Sequence, residues 1–141
     1  MRILVTGTEG YLGSLLAPRL MGLGHEVVRL DTGYYMAGWL YHGLERTPNT
    51  LVKDLRTVTA ADLEGFDAVV HMAELSNDPT GELRPGITHE INHQGSIRLA
   101  ELARASVKLA VIELGAGSAI PTVRRTSESV AKELGGRLVR I

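Results

Sequence analysis

Short apolar runs alternate along the chain with stretches of helical period. Ile3-Leu4-Val5 is an unbroken apolar run that closes on a threonine and a glycine turn, the pattern of a strand buried on both faces. From Tyr11 to Met21, Leu12, Leu15, Leu16 and Leu20 recur at helical spacing, and Gly22 and Gly24 end the helix. Glu26 to Leu30 predicts a second strand, closed by Asp31. Leu51-Val52 before Asp54 predicts a short third, and Ala68 to Met72 a fourth. A helix is expected from about Ile87 to Ala105, a fifth strand from Leu109 to Ile112, a last helix from Thr122 to Leu134, and a sixth strand from Arg137 to Ile141.

Strands separated by helical stretches imply βαβ units, hence an α/β fold with a parallel sheet and right-handed crossovers. Six strands match two βαβαβ halves. The expected architecture is a single doubly wound sheet of the Rossmann type, order 3-2-1-4-5-6, with a ligand crevice where the order reverses. The sheet uses the chain from 1 to 141, so one domain is expected. The irregular stretch from Thr32 to Asn49 carries Tyr34, Tyr35, Trp39 and Tyr41. It reads as a long crossover whose aromatics cover the sheet edge, in preference to an aromatic wall beside a ligand.

Composition narrows the function. A net charge of -1 gives no field to draw nucleic acid or an anionic membrane, so neither is expected as a partner. With no cysteine there is no disulfide, thiolate metal site or cysteine nucleophile. The apolar run at the N-terminus is too short for a signal peptide or a membrane span, and a soluble cytoplasmic protein is expected.

The chemistry centres on Thr6-Gly7-Thr8-Glu9-Gly10-Tyr11-Leu12-Gly13, which lies between a predicted strand and a predicted helix. In that context Gly7 permits a tight turn and Gly10 lets the backbone approach a pyrophosphate. Gly13 lets the helix pack closely on the strand. The N–H groups at the helix start then meet the phosphate charge. Asp31, at the end of the second strand, can accept hydrogen bonds from the adenosine ribose hydroxyls and would repel a 2′-phosphate. No Arg or Lys directly follows it. The expected ligand is therefore a small-molecule dinucleotide, NAD in preference to NADP.

With these residues in place, positions 1 to about 106 resemble the N-terminal part of the extended short-chain dehydrogenases, the NAD-dependent sugar epimerase/dehydratase group. The Thr-Gly-x-x-Gly-x-x-Gly pattern is that group's form of the turn. Asp54-Leu55-Arg56 resembles its adenine-contacting segment. Val70-His71-Met72-Ala73-Glu74 resembles its His-Leu-Ala-Ala segment, which passes under the nicotinamide-side ribose; Glu74 departs from the small residue usual there. Asn92 and Gly95 fall where the group has Asn-x-x-Gly. The resemblance thus implies cofactor contacts at Gly7, Thr8, Glu9, Gly10, Tyr11, Leu12, Gly13, Asp31, Asp54, Leu55, Met72, Ala73, Glu74 and Asn92.

That group carries its chemistry on a Tyr-x-x-x-Lys helix, the tyrosine as acid/base and the lysine lowering its pKa. Here every tyrosine lies at or before Tyr41 and none is followed by lysine four residues on. From about Val107 the chain resembles another family: Val111 to Arg125, with its Gly115-Ala116-Gly117 turn, looks like the late Rossmann segment of sirtuin-type NAD-dependent deacylases. That would add Gly115 to the cofactor contacts. On this reading the protein is a non-catalytic NAD-binding module, an engineered chimera fused near residue 106. Two alternatives stand beside it: a truncated fragment of a sugar-nucleotide epimerase or dehydratase, and a scaffold that no longer binds nucleotide.

His89-Glu90-Ile91-Asn92-His93 matches the zinc-protease pattern His-Glu-x-x-His. At about 100° per residue, however, Ile91, Gly95 and Leu102 share one face and the two histidines lie nearly opposite. They are expected in solvent, with no metal bound. His71, at the end of a buried strand, is expected to be structural.

Overall fold

The structure is a computed structural model and describes residues 1–34, 49–76, 78–104, 110–113, 122–133, 135 and 137–140. It divides into two units, Met1–Ala103 and Arg104–Ile141. The expected crossover aromatics Tyr35, Trp39 and Tyr41, and Gly115 with its neighbours, lie outside the described residues.

In the first unit, β1 (Arg2–Thr6) takes the centre because Ile3, Leu4, Val5 and Thr6 are all buried. An all-buried strand needs neighbours on both edges and layers on both faces. Its neighbours are β2 (Glu26–Asp31) and β4 (Ala68–Val70), and β3 (Thr50–Val52) pairs with β2. Every pairing is parallel, in the order β3-β2-β1-β4. Ile3 aligns with Val27 on one side and Ala68 on the other. Side chains alternate between faces along a strand. Ile3 and Val5 accordingly pack with Val27 and with Ala17 of α1 (Tyr11–Gly22), while Leu4 and Thr6 point to the opposite face.

The orientation of α1 differs from the leucine spacing. Gly13 and Ala17 are buried, Leu16 and Leu20 are half-buried, and Leu12 and Leu15 are exposed. The rotation is set by Gly13, which must press against the turn; Ala17, one helical turn later, follows it onto the sheet.

Between β3 and β4 the chain makes two 3-10 turns, Leu55–Thr57 and Ala60–Leu63, which the pattern did not predict. They bury Leu55, Val58 and Leu63 and are held by their caps: Asp54 accepts from the Arg56 N–H at 2.9 Å and Asp62 from the Thr59 N–H at 2.7 Å. A short helix α2 (Asp78–Leu83), also unanticipated, precedes the long helix. That helix starts at Pro85 and runs as α3 (Pro85–His89), a π segment (Glu90–Gly95) and α4 (Ser96–Arg104). Ile91, Gly95, Leu99 and Ala103 form its buried stripe. At Gly95 a Cβ would stand 3.1 Å from Leu55 Cδ2, so the missing side chain seats the helix on the 3-10 turn.

In the second unit β5 (Ala110–Glu113) and β6 (Arg137–Arg140) pair in parallel through the crossover helix α5 (Thr122–Glu133). The observed orders, 3-2-1-4 and 5-6, are the corresponding parts of the expected Rossmann order. Among the described residues no helix is long and apolar enough to cross a membrane.

Candidate dinucleotide site

The glycine turn rests on backbone geometry that side chains would destroy. Gly7 has φ +71°, and a Cβ there would stand 2.5 Å from the Met72 carbonyl oxygen and 2.8 Å from the Ala73 nitrogen. Left-handed backbone and lack of room both demand glycine. The Gly7 N–H donates to the Leu30 carbonyl at 2.9 Å and ties the turn to β2. At Gly13 a Cβ would collide with the Gly7 carbonyl oxygen and stand 2.6 Å from Thr8 Cα, so α1 lies directly on the turn. Gly10 is the extended N-cap of α1, whose start has no side-chain cap and no acidic residue in its first turn. Those N–H groups and the positive end of the helix dipole suit an anion. Among the described residues, a Cβ on Gly10 would meet only the Gly7 carbonyl oxygen, at 3.3 Å, with nothing else within 4 Å.

Asp31 is joined to this turn. Its Oδ2 accepts from the Glu9 N–H at 2.9 Å and its Oδ1 from the Gly33 N–H at 3.0 Å. Two backbone donors fix the carboxylate, and each oxygen keeps a lone pair for a further donor such as a hydroxyl. Thr8 and Glu9 are buried in the body of the turn, whereas Tyr11 and Leu12 turn their side chains to solvent. What these four residues share is backbone at the start of α1.

On the other side of β1, the loop after β4 is held by a chain of hydrogen bonds. Thr6 Oγ1 accepts from the Met72 N–H at 3.1 Å and the Ala73 N–H at 3.2 Å, and lies 2.8 Å from His71 Nδ1. His71 Nε2 lies 2.8 Å from Ser96 Oγ, which donates to the Asn92 carbonyl at 2.7 Å. The Asn92 side chain clamps Leu75, accepting from its N–H at 2.8 Å and donating to its carbonyl at 3.0 Å. Burial pushes the His71 pKa down to about 4, so the ring is neutral near pH 7. Glu74 is exposed on this loop, but the protein packed around its carboxyl raises the pKa.

The remaining predicted positions are arranged differently. The Asp54 carboxylate is committed to Arg56, whose Nη2 lies 2.7 Å away; this guanidinium holds the Asp54 pKa below its ordinary value. Arg56 also reaches Glu90 at 3.1 Å. The Leu55 side chain is buried against Gly95, and its carbonyl accepts from the Val58 N–H at 3.3 Å. Asn92 acts on the loop through Leu75. His89 and His93 are both exposed, ring centroids 4.8 Å apart, as expected from the helical phase. His71 is indeed built into the framework. The sequence names Thr6 only as the first residue of the turn motif, with no sign of its hydrogen bonds to the loop, and gives no signal for Ser96.

Residues 3–135 match the sequence profile of the NAD dependent epimerase/dehydratase family. The chain belongs to this family. The UDP-glucose 4-epimerase of Mycolicibacterium smegmatis is 31% identical over 140 residues, which cover 92% of this chain and 44% of that protein. A UDP-glucose 4-epimerase of Klebsiella pneumoniae is 27% identical over 114 residues, covering 75% of this chain and 82% of that protein. The fold matches the Thermus thermophilus UDP-glucose 4-epimerase solved with NAD, at TM-score 0.72 and 22% identity, over 99% of this chain and 54% of that one. The chain therefore spans less than half the length of the mycobacterial relative.

Two expectations are corrected. A non-catalytic module was expected because Tyr-x-x-x-Lys is missing; the family and its relatives are enzymes. A fusion near residue 106 to a sirtuin-like segment was also expected. One family profile runs through that point to residue 135, and nothing supports a second family. NAD is the cofactor of the family, and the uncapped α1 start, the space that the described residues leave above Gly10 and the fixed Asp31 carboxylate fit it.

Proposed function

We propose that residues 1–141 act as one dinucleotide-binding domain, the NAD-binding part of a sugar-nucleotide epimerase or dehydratase. The observation that carries the reading is the 2.9 Å hydrogen bond from the Glu9 N–H to Asp31. It joins an acid at the end of β2 to an uncapped glycine turn in a member of an NAD-dependent family.

In this reading Asp31 takes the adenosine ribose hydroxyls and disfavours a 2′-phosphate, so NAD binds in preference to NADP. Backbone N–H groups from Tyr11 to Gly13 take the pyrophosphate over the Cβ-free Gly10, whose own N–H donates to the Gly7 carbonyl at 3.2 Å, with Gly7, Thr8 and Glu9 shaping the turn beneath it. Asp54 and Leu55 flank the adenine; Gly115, expected only from the sirtuin-like resemblance, is given no role. Met72, Ala73 and Glu74 line the path of the second nucleoside, with Asn92 holding the loop they sit on. Bound NAD supplies a hydride acceptor, and these residues bind and orient it. The family's Tyr-x-x-x-Lys pair is absent from these 141 residues, so no proton transfer on the sugar is assigned to them. The substrate class is taken from the relatives, which are UDP-glucose 4-epimerases.

The test is a set of melting curves with NAD, NADP and UDP-glucose, alone and combined. Ligand at about 100 times Kd stabilises by about 2.7 kcal/mol. NAD should raise the melting temperature by several degrees, NADP less, and UDP-glucose should add to the NAD shift. No shift at saturating NAD would overturn the reading.

A further inference from the structure

The hydrogen-bond chain through His71 admits only one arrangement of protons. Thr6 Oγ1 has two lone pairs, both used by the Met72 and Ala73 N–H groups, so its own hydrogen points to His71 Nδ1. Nδ1 is then an acceptor, and the ring proton must sit on Nε2. Nε2–H donates to Ser96 Oγ, whose hydrogen goes on to the Asn92 carbonyl. The side chain of the same Asn92 holds both backbone groups of Leu75. The loop from Met72 to Leu75 is thus pinned at one end by Thr6 and at the other by Asn92, with His71 and Ser96 as the links. Its first peptide touches the glycine turn, since the Met72 carbonyl oxygen lies 2.5 Å from where a Gly7 Cβ would be.

The sheet order gives this loop its meaning. Asp31 ends β2 on one side of β1, and the loop follows β4 on the other side. A dinucleotide with its first ribose at Asp31 and its pyrophosphate on the turn must send its second half over β4.

We propose that His71 is a positioning residue: fixed as the Nε2–H tautomer between Thr6 and Ser96, it holds the Met72–Leu75 loop at the distance from the glycine turn that the second nucleoside of the cofactor requires. The inference rests on the NAD-binding reading above.

It is tested with Ser96→Ala and Ser96→Thr, titrated with both NAD and ADP. ADP carries the first ribose and two phosphates but not the second nucleoside. Ser96→Ala leaves the buried Nε2–H without an acceptor and breaks the link to Asn92, so that NAD must reorder the loop on binding, at about the strength of one hydrogen bond. NAD affinity should therefore fall about tenfold while ADP affinity stays within about twofold. Ser96→Thr keeps the hydroxyl and should restore the NAD affinity. The ring nitrogen shifts of His71 in the unmodified protein should be those of the neutral Nε2–H tautomer. Equal loss of NAD and ADP, or no loss of either, overturns the inference while leaving NAD binding intact. An Nδ1–H or charged His71 at neutral pH overturns it as well. An unmodified protein that binds neither NAD nor ADP overturns the NAD-binding reading and this inference with it.

Discussion

Gly13→Ala and Gly22→Ala make the same chemical change in the same helix and should have opposite effects. At Gly13 the new methyl would overlap the Gly7 carbonyl oxygen and stand 2.6 Å from Thr8 Cα and 2.8 Å from the Gly7 carbonyl carbon. All three neighbours are backbone, so the helix or the turn must move. Overpacking of this kind costs about 1–3 kcal/mol and more where the backbone is involved. The better helix propensity of alanine returns at most about 1 kcal/mol. With three backbone clashes the cost lies at or just above the top of that range, about 3–4 kcal/mol, so the expected net loss is about 2–3 kcal/mol, a fall in melting temperature of about 6–10 °C at this chain length. At Gly22 nothing among the described residues lies within 4 Å of the new methyl, and the backbone is not left-handed. Only propensity remains there, and the variant should gain up to about 1 kcal/mol. Thermal and urea denaturation of both variants beside the parent measure the difference. If Gly13→Ala melts at or above the parent, or the two variants shift together, α1 does not rest on the turn as described.

Three further outcomes follow from the same geometry. His71 titrates at about 4 folded against 6.5 unfolded, so below pH 6.5 the unfolded chain takes a proton that the folded one refuses. Stability should fall by about 3 kcal/mol as pH drops from 6.5 to 4; urea melts showing constant or rising stability over that window would contradict a buried neutral His71. Thr6→Val keeps the shape but strands the Met72 and Ala73 N–H groups, and should lower stability by about 2–4 kcal/mol in the same assay; a neutral result would remove Thr6 from the loop's support. Asp31→Arg should move the Kd ratio of NADP to NAD toward NADP by calorimetry; an unchanged ratio would place the ribose elsewhere.

How far the sequence revealed the structure depends on how local each constraint is. The strands of both units and the glycine turn follow from neighbouring residues: an apolar run, a left-handed position, an uncapped helix start. Asp31 was legible because its distance from the turn is set by one βα unit. The facing of α1 was not, because Gly13 packs by lacking a side chain and hydrophobic spacing favours the leucines. The 3-10 turns at Leu55 and Ala60 are too short to show a period. The Thr6–His71–Ser96 chain joins residues 65 and 25 positions apart. A serine and a threonine carry no mark of such partners until the sheet and the π segment bring them together.

The central claim, that the turn from Gly7 to Gly13 is the pyrophosphate site of an NAD-binding domain, is tested most directly by calorimetric titration of NAD into the parent and into Gly10→Val. The valine would project into the space above the turn, where among the described residues only the Gly7 carbonyl oxygen lies near its Cβ, and the fold should survive. The account predicts saturable NAD binding to the parent and none to Gly10→Val, with the variant still melting cooperatively. Equal NAD affinity in the two proteins would contradict it.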